Sequence, residues 1–495
     1  MDTIISRLYS AASTRELDRR AIEVFGIAGH TLMQRAAQAA WTAARWRWPN
    51  ARHVTVFCGP GNNGGDGYEL ACLAEAAGCT VRVHECEDLP RRGDALTARN
   101  RWLARGAVQR WSAGQALDDA DLLVDALFGI GLSRAPTGDA AAAITAINAA
   151  RAGGAAVLAL DVPSGLDADT GAAPGAAIEA DLTVSFIALK PGLCTGQGPA
   201  LTGALELATL DLPAAAHDGL PVLARLTDRS ELRGWLPKRP RTGHKGSHGH
   251  VLLVGGDHGM AGAILLAARA ALRAGAGLVT VATRDRHAAA LTAAQPDVMV
   301  RSVERPEDLQ PLIARADVLA LGPGLGREAW GQAMFDAAID AALPKVVDAD
   351  ALNALAAAPR RDDRWLLTPH PGEAGRLLGL STAEVQADRL GAIGALQARY
   401  GGAVVLKGAG SLVLGGSAAE LRVCPYGNPG MGVGGMGDVL TGVAAAFIAQ
   451  GLAIDVAAAA AVTAHALAGD RAAERGERGL MASDVIEALP VVVNP

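Results

Sequence analysis

The stretch VTVFCGPGNNGGDGYEL, residues 54–70, decides the fold of the first half of the chain. Its opening run, VTVFC (54–58), is apolar and predicts a buried strand. The glycine-rich GPGNNGGDG (59–67) predicts a loop, and GYELACLAEAAG (67–78) favours a helix. A strand, a glycine turn and a helix in this order are typical of a parallel βαβ unit, where ligands bind beyond the carboxyl ends of the strands. The loop contains no Lys, Ser or Thr, so it does not match the common phosphate-binding patterns.

The same alternation of strands and helices continues to the end of the chain. Further strands are predicted at 80–85, 121–128, 155–163, 181–189, 250–256, 277–283, 316–324, 345–350, 364–370 and 403–415. The pattern weakens over 211–241, which has four prolines and no sustained period. We therefore expect an α/β protein with a doubly wound domain over 1–215, a linker over 216–240 and a second α/β domain over 225–495, whose start overlaps the linker.

Composition excludes several classes of protein. Of the 495 residues, 50% are hydrophobic and 19% are charged, so each domain can bury a full core. The net charge of −6 and the absence of a long basic run argue against nucleic acid as a partner. The six cysteines form no C-x-x-C pair, and the N-terminus lacks the apolar core of a signal peptide, so we expect a cytoplasmic protein. The longest apolar stretch, 453–469, contains Asp455 and His465 and predicts a buried helix instead of a membrane span.

Polar residues follow three of the predicted strands in the first domain. They are Asn63, Asp125, and the pair Asp161 and Ser164. Because the carboxyl ends of parallel strands open on one edge of a sheet, these side chains can converge. The alternative is that the glycines only form a tight turn and that Asn62 and Asn63 cap a helix. Asn, Asp and Ser oxygens without Cys or His are typical of a hard-cation site.

Four motifs of the first half resemble the NAD(P)H-hydrate epimerase domain over roughly residues 1–215. They are NNGGDG (62–67), DALFGIGLSR (125–134), DVPSGLDADTG (161–171) and ALKPGL (188–193). The resemblance implies a Rossmann-like sheet, a potassium ion bound by Asn63, Asp125 and Ser164, and Asp161 as ligand contact and acid/base. It also implies that the hydrated nicotinamide nucleotide contacts Asn62, Asn63, Gly64, Gly65, Asp66, Gly129, Ile130, Gly131, Leu132, Ser133, Arg134 and Ala135.

The segment NPGMGVGGMGDVLTG (428–442) is the most informative part of the second half. Its glycines at 430, 432, 434, 435 and 437 precede Asp438 and an apolar helical pattern. Consecutive backbone amides at a helix start form an anion hole suited to a phosphoryl group, and an Asp beside it can take a proton from a reacting hydroxyl. The alternative is a plain glycine loop in which Asp438 only interacts with the helix dipole.

This GxGD pattern resembles the ribokinase-like fold, in which the Asp is the catalytic base. Further motifs narrow the resemblance to ADP- or ATP-dependent NAD(P)H-hydrate dehydratases over about 225–495: HKGSHGHVLLVGG (244–256), AGAILLAARAALRAGAGLVTVAT (261–283), GPGLG (322–326), VVDADALN (346–353), TPHPGE (368–373) and LKGAGS (406–411). The resemblance implies that Ala263, Gly324, His370 and Asp438 contact the nicotinamide nucleotide. It also implies Mg²⁺ with the adenine nucleotide, and nucleotide contacts from Lys407, Gly408, Ala409, Gly410, Ser411 and Gly437.

Three histidines, His244, His248 and His250, have a spacing that could indicate zinc. They lie in a glycine-rich segment without a cysteine partner, which favours a loop near phosphate instead.

The sequence therefore predicts a bifunctional enzyme of nicotinamide nucleotide repair. We expect it to epimerise the R and S hydrates of NADH and NADPH (NADHX and NADPHX) and to dehydrate the S form at the expense of ADP or ATP. We expect it to bind neither nucleic acid nor a membrane, and to form a homo-oligomer. The rival hypothesis is a small-molecule kinase for a vitamin precursor, fused to a non-catalytic nucleotide-binding domain. A non-catalytic domain should have lost Asp125 or Asp161, and both are present.

Overall fold

The computed structural model describes residues 4–86, 89–115, 117, 119–132, 134–416 and 420–495. It divides into two compact units, Met1–Arg225 and Leu226–Pro495. The segment predicted as a linker, 216–240, contains the strand Ala224–Leu226 and the short helix Leu232–Trp235. The division between the units therefore passes through ordered structure.

The first unit has a parallel sheet covered by helices. Its strands are β1 Arg7–Leu8, β2 His53–Cys58, β3 Thr80–Glu85, β4 Val108–Arg110, β5 Leu122–Ala126, β6 Ala156–Leu160, β7 Leu182–Phe186, β8 Ala204–Ala208 and β9 Ala224–Leu226. Its helices are α1 Ala11–Glu23, α2 Gly29–Arg47, α3 Asn62–Ala76, α4 Gly93–Leu103, α5 Gly138–Ala152 and α6 Gly198–Leu201. Seven strands form the sheet in the order β4-β3-β2-β5-β6-β7-β8, and all their pairings are parallel. The short strands β1 and β9 pair antiparallel.

The order of these strands positions a binding site. The chain winds outward from β2 to β3 and β4, and then returns to place β5 on the other side of β2. In doubly wound sheets, ligands bind at the carboxyl ends of the strands where the order reverses. That point lies between β2, which precedes the NNGGDG motif, and β5, which precedes the glycines of residues 129–131.

The glycine motif after β2 was predicted as a loop, and this prediction is wrong in part. Only Gly59–Gly61 form the turn, because α3 begins at Asn62 and contains the rest of the motif. The glycines inside the helix are required for close packing. A Cβ at Gly64 would overlap the carbonyl oxygen of Gly59, and one at Gly67 would lie 2.6 Å from the Cβ of Ala126.

The second unit repeats the architecture with a larger sheet. Its strands are β10 His250–Val254, β11 Leu278–Thr283, β12 Met299–Ser302, β13 Val318–Leu321, β14 Lys345–Val347, β15 Trp365–Leu367, β16 Ala403–Leu406, β17 Ser411–Leu414 and β18 Arg422–Cys424. Its helices are α7 Leu232–Trp235, α8 Ala261–Arg273, α9 Asp285–Ala294, α10 Pro306–Ile313, α11 Ala329–Ile339, α12 Ala349–Ala357, α13 Pro371–Leu378, α14 Thr382–Ala387, α15 Arg389–Tyr400, α16 Met436–Ala449, α17 Ile454–Ala472 and α18 Ala482–Val492. The strands follow the order β18-β17-β16-β15-β14-β13-β10-β11-β12, and they are parallel from β16 to β12. The predicted α/β fold class is confirmed in both units.

The segment 403–415 was predicted as one strand, and it is instead an antiparallel hairpin. Residues Val404–Leu406 of β16 pair with Leu412–Leu414 of β17, so KGAG (407–410) forms the turn between them. Gly408 and Gly410 adopt positive φ angles of 135° and 59°, which a turn this tight requires. Lys407 therefore lies at the end of a strand, at the carboxyl edge of the parallel sheet.

Helices α8, α16 and α17 form the centre of the second core. Almost every residue of α16 from Val439 to Ile448 is buried, as is the alanine-rich middle of α17. Among the described residues, no helix has the length and apolarity that a bilayer crossing needs. Small residues let the helices approach closely, since a Cβ at Gly442 of α16 would overlap the carbonyl oxygen of Ala267 in α8.

This contact reverses the usual effect of removing a helical glycine. Gly442→Ala should destabilise the second unit by about 1–3 kcal/mol, because the added methyl group collides with backbone. Gly394→Ala in α15, where the added Cβ has open space, should stabilise it by about 0.5–1 kcal/mol. Chemical denaturation of both variants measures the two effects. Stabilisation by Gly442→Ala would contradict the tight contact between α8 and α16.

Candidate active sites

A cavity of about 690 Å³ opens at the strand reversal of the first unit. Its walls come mainly from α1, α2, the start of α3, the segment after β5 and the ends of β6 and β7. Of the predicted nucleotide contacts, those lining it are Asn62, Asn63, Asp66, Gly129, Ile130, Gly131, Leu132, Arg134 and Ala135. Gly64 and Gly65 pack behind it, against Gly59 and Met33 respectively. Ser133 lies outside the described residues.

Asp161 presents one carboxylate oxygen to this cavity. The residue has a positive φ of 65°, which is uncommon for a residue other than glycine and re-aims the side chain at the end of β6. Its Oδ1 accepts hydrogen bonds from Lys190 Nζ and from the Phe186 amide at 3.1 Å. Its Oδ2 points towards Gly129, where an added Cβ would lie 3.3 Å away. One oxygen is thus held by the protein, and the other faces the space that a ligand would fill.

Lys190 is a fully buried cation behind Asp161. Its ammonium group also donates to Ser185 Oγ at 3.0 Å and to the Phe186 carbonyl at 2.9 Å. All three of its protons therefore have acceptors, which a buried ammonium needs. Because its position is determined on three sides, Lys190 fixes the position of Oδ1 of Asp161.

Asn63 lies beside Asp161 with its carboxamide unsatisfied. Both its Oδ1 and its Nδ2 are buried and have no hydrogen-bond partner among the described residues. Its Cγ would lie 3.4 Å from a Cβ at Gly129, so it shares the cavity floor with Asp161 Oδ2. Buried amide groups without partners are rare in native proteins and indicate an absent ligand, ion or water.

Asp125 and Ser164 form a buried pair next to this floor. The carboxylate of Asp125 accepts from Ser164 Oγ at 2.6 Å and from the Ser164 amide at 2.7 Å. Burial raises the pKa of Asp125 to about 6, although the hydrogen bonds from Ser164 and Leu127 oppose the shift. Phe128, the residue before Gly129, donates its amide to Ser164 Oγ at 2.8 Å and so connects the pair to the cavity.

The cavity lining carries three more carboxyl groups, from Asp18, Asp66 and Asp94. Burial raises the pKa of Asp66 well above its usual range, and the charges of Asp161 and Asp18 raise it further. The pKa of Asp18 is raised by burial and by the charges of Asp94 and Asp161. Asp66 and Asp18 therefore keep their protons to higher pH than free carboxyls do, so they can donate hydrogen bonds to a bound ligand.

In the second unit, Asp438 lies in the first turn of α16 and belongs to a buried charged cluster. Burial and the nearby charge of Asp348 raise the pKa of Asp438 to about 7, against the opposing effect of Lys407. Lys407 Nζ is 2.7 Å from Asp348 Oδ1, and Thr441 Oγ1 donates to Asp348 Oδ2 at 2.9 Å. Burial alone would raise the pKa of Asp348, but Lys407 and the two threonines Thr441 and Thr368 lower it below its usual value. The cluster therefore pairs an ionised Asp348 with an Asp438 that titrates near neutrality.

Gly437 places the backbone at the start of α16 next to this cluster. An added Cβ there would lie 3.3 Å from both Asp348 Oδ2 and Lys407 Nζ. Among the described residues, the amides of 433–438 have no backbone or side-chain acceptor. Gly435, the N-cap of α16, has a φ of 92°, a backbone conformation that glycine adopts readily. Amides without acceptors at the start of a helix are the groups that an anion hole needs.

Of the other predicted contacts, Gly324 follows β13, His370 follows β15, residues 407–411 follow β16, and Ala263 lies in the first turn of α8. A Cβ at Gly324 would lie 3.3 Å from the Cβ of Ala263, so these two residues are adjacent. His370 caps α13, its Nδ1 accepting from the Gly372 amide at 3.0 Å. Ser411 Oγ donates to the Gly408 carbonyl at 2.9 Å and so closes the hairpin turn that carries Ala409 and Gly410.

The three histidines considered for zinc do not form a metal site in the described part of the chain. His250 has both ring nitrogens in hydrogen-bonding contact, Nδ1 with the Arg315 carbonyl at 2.9 Å and Nε2 with Thr280 Oγ1 at 2.7 Å.

Comparison with known proteins identifies the family of the chain. A family model described as NAD(P)H-hydrate dehydratase matches residues 251–491, and one described as YjeF-related protein N-terminus matches 29–192. The bifunctional NAD(P)H-hydrate repair enzyme Nnr of Coxiella burnetii is 46% identical over 490 residues, covering 99% of each chain. The chain belongs to this family of bifunctional NAD(P)H-hydrate repair enzymes.

Two further relatives support this membership. The repair enzyme Nnr of Escherichia coli is 44% identical over 490 residues, covering 99% of this chain and 94% of its own. A crystal structure of a ribokinase-like superfamily protein from Enterococcus faecalis has a TM-score of 0.50 at 29% identity, covering 54% of this chain and 95% of its own. The repair enzyme thus combines an epimerase domain with a dehydratase domain of ribokinase-like fold.

Sequence reasoning missed several polar residues at the two sites of this repair enzyme. Lys190, Asp348 and Glu373 lie inside motifs that the resemblance uses, but no role was predicted for them. Asp348 directly follows β14, which is a signal that could have revealed it. Glu373 Oε2 lies 3.7 Å from Lys407 Nζ and accepts from the His370 amide at 2.8 Å. The contacts of Lys190 with Asp161 and of Lys407 with Asp348 and Glu373 join residues far apart in sequence, so no local pattern indicates them.

The repair enzyme should lose one activity when the epimerase cavity is narrowed. Gly129→Ala places a methyl group 3.3 Å from Asp161 Oδ2 and 3.4 Å from Asn63 Cγ, in the space a ligand would occupy. We expect epimerisation to fall by about 10²-fold, the order of loss that a small misplacement at the reacting centre causes. Conversion of R to S hydrate, followed chromatographically, measures it. The dehydratase activity of the same variant is the internal control and should be unchanged; equal loss of both activities would contradict this view of the cavity.

Proposed function

We propose that the cavity of the first unit epimerises the hydrates of NADH and NADPH and that Asp161 is its acid/base. The observation that carries this proposal is the asymmetric environment of Asp161. Oδ1 is held by Lys190 and Phe186, and Oδ2 faces the cavity beside Asn63. Epimerising a carbon that bears a hydroxyl group and a ring nitrogen requires proton transfer, and a fixed carboxylate oxygen can supply it. Asn62, Asp66 and the segment 129–135 would contact the nucleotide.

A potassium ion at Asn63, Asp125 and Ser164 is the second part of this proposal. The residues fit such an ion because they offer a carboxamide oxygen, a carboxylate and a hydroxyl, which are the ligands of hard cations. The unsatisfied carboxamide of Asn63 and the buried carboxylate of Asp125 would both gain a partner of suitable charge. When bound, the ion would supply positive charge for the ligand, and the three residues would hold it in place.

Thermal stability tests the ion site independently of catalysis. The first unit should melt at a higher temperature in KCl than in choline chloride of equal ionic strength, because an ion that binds only the folded state stabilises it. Asn63→Ala should abolish this gain, while Asn100→Ala, at an exposed position of α4, should retain it. A full potassium effect in Asn63→Ala would remove Asn63 from the ion site.

For the second unit, we propose dehydration of the S hydrate with ADP or ATP, with Asp438 as the base. The hydroxyl oxygen of the hydrate would attack the terminal phosphorus while its proton passes to the carboxylate of Asp438. The bond to the nucleotide breaks, and elimination of phosphate from the substrate then restores the working cofactor. The amides of 433–438 and Lys407 would hold the phosphoryl group. The observation that carries the proposal is Asp438, which titrates near neutrality and lies at the end of this amide cluster, in the first turn of α16.

The remaining contacts follow the same arrangement. Ala263, Gly324 and His370 would contact the hydrate, and the hairpin turn 407–411 together with Gly437 would contact the adenine nucleotide. We expect Mg²⁺ to enter as part of the nucleotide complex, since this ion is usually bound through substrate phosphates. We also propose a cytoplasmic location, because all six cysteines are free and buried. The homo-oligomer stays a prediction.

The kinase alternative would use the same anion hole without the epimerase. The Asp161–Lys190 and Asp125–Ser164 pairs, both at the cavity, would then have no catalytic role. Assaying the purified chain on mixed hydrates with an adenine nucleotide distinguishes the two, because a kinase would leave a phosphorylated product in place of NADH.

Asp438→Asn provides the sharpest test of the dehydratase proposal. The substitution keeps the size of the side chain but removes the basic oxygen, so the rate should fall by about 10²–10⁴-fold. In the wild type, kcat/KM should decline below about pH 7, because protonated Asp438 cannot accept the proton. Steady-state assays from pH 5 to 9 measure both effects.

Two comparisons make that result specific. Asp455→Asn, at an exposed position near the start of α17, should keep the full rate and the same pH profile. Epimerase activity of Asp438→Asn should match the wild type. Near-normal dehydration by Asp438→Asn would show that another group is the base.

A further inference from the structure

The glycine loop before α16 is held by contacts from α17. Met431 in the loop packs on α17 at Gly469, where an added Cβ would overlap its sulfur atom. Gly427 lies against Ala466, one turn earlier, where an added Cβ would be 3.7 Å from the Ala466 Cβ. One face of α17 therefore forms a platform under residues 427–431.

Asp470 is the polar group of this platform. Its Oδ2 accepts the Gly427 amide at 3.0 Å, and its Oδ1 accepts Asn428 Nδ2 at 3.0 Å. Both carboxylate oxygens are thus used on two consecutive residues at the start of the loop. Asp470 is half-buried and lies in the last turn of α17, so a rigid helix determines its position.

Asn428 carries this contact into the glycine segment. With its Nδ2 bound to Asp470, its Oδ1 accepts the Gly430 amide at 3.1 Å. Its backbone carbonyl accepts the Met431 amide at 3.1 Å. The side chain of Asn428 is therefore oriented at both ends, and the chain of contacts runs from Asp470 through Asn428 to Gly430.

Two groups of backbone amides in the loop differ in their hydrogen bonding. Those of Gly427, Gly430, Met431 and Gly432 donate to acceptors within the protein, the last of them to the Pro429 carbonyl at 3.1 Å. Those of 433–438 have no acceptor among the described residues. The contacts from Asp470 reach Gly430 through Asn428, and the backbone hydrogen bonds of Met431 and Gly432 continue the turn to the residue before 433. The ordered turn therefore leads directly into the amides without acceptors.

We propose that Asp470 is a positioning residue for the dehydratase reaction, acting through Asn428 to aim the amides of 433–438 at the phosphoryl group. This inference rests on the proposed function, in which the amides of 433–438 bind the phosphoryl group. Asp470 does not touch the phosphoryl group, and its negative charge would not attract one. Its contribution is geometric, so its loss should lower kcat more than it raises KM, since the aim of the amides matters most in the transition state.

Single substitutions give the first test. Asp470→Asn replaces an acceptor by a donor, so either the Gly427 amide or Asn428 Nδ2 must lose its partner. Asn428→Asp places two carboxylates against each other. We expect each change to lower the dehydratase kcat by about 10–10²-fold, the scale on which small misplacements act. The KM values for the S hydrate and for ATP should change less than about threefold, and epimerase activity should not change.

The exchanged pair, Asp470→Asn with Asn428→Asp, is the decisive variant. Asn at 470 can accept from the Gly427 amide and donate to the new carboxylate at 428, which can also accept the Gly430 amide. All three hydrogen bonds are restored with the same net charge. We expect kcat to return to within about threefold of the wild type, because coupled residues show non-additive effects. Asp455→Asn on the same helix is the matched control and should leave kcat unchanged.

The outcomes distinguish a failure of this inference from a failure of the proposed role of Asp438 as the base. Failure of the exchanged pair to regain kcat, with both single variants impaired and all variants folded by circular dichroism, would overturn the role of the Asp470–Asn428 contact. A wild-type kcat in Asp470→Asn would also overturn that role. If Asp438→Asn is inactive in either case, the proposed function stands without this inference; if Asp438→Asn is active, the proposed function itself fails.

Discussion

Both units depend on close backbone contact at the carboxyl ends of their parallel strands, which only glycine permits. A Cβ at Gly59 would overlap the carbonyl oxygen of Leu127, and one at Gly322 would overlap that of Asp348. These contacts draw the segments after neighbouring strands together, and those segments carry the functional side chains. Asn63 meets the residues after β5 in one unit, and Asp348 meets the residues after β13 in the other. The glycine content of the motifs therefore reflects packing as much as ligand binding.

The two proposed catalytic carboxylates differ in their neighbours. Asp161 has a buried lysine hydrogen-bonded to one oxygen, whereas Asp438 has no such cation to itself. Lys407 lies closer to Asp348 and Glu373, so the positive charge near Asp438 is shared among three carboxylates. Asp348 thereby holds Lys407 at the site and raises the pKa of Asp438 through its own charge. Environment thus suits Asp438 to accept a proton near neutral pH.

The sequence was sufficient to predict the fold class, the family and most of the residues that meet at the two sites. Alternating strands and glycine turns carry a strong local signal, and Asp438 follows a dense glycine pattern. Local patterns could not show that the NNGGDG motif is helical, because helix propensity disfavours glycine and tertiary contacts such as that between Gly67 and Ala126 override it. The hairpin over 403–414 was missed because both of its strands are apolar and the turn between them is short. Asp470 was missed because its partners precede it by about forty residues.

The reactivity of the buried cysteines can report local unfolding of each unit separately. Cys58, Cys72, Cys79, Cys86 and Cys194 lie in the first unit, and Cys424 alone lies in the second. Burial raises the pKa of Cys194 and of Cys424 to about 12, so very little reactive thiolate forms while the chain is folded. A thiol reagent should therefore modify each unit only as fast as that unit unfolds locally. In a chain that keeps Cys424 as its one cysteine, thiol modification would measure local unfolding of the dehydratase sheet at β18, without any signal from the epimerase domain.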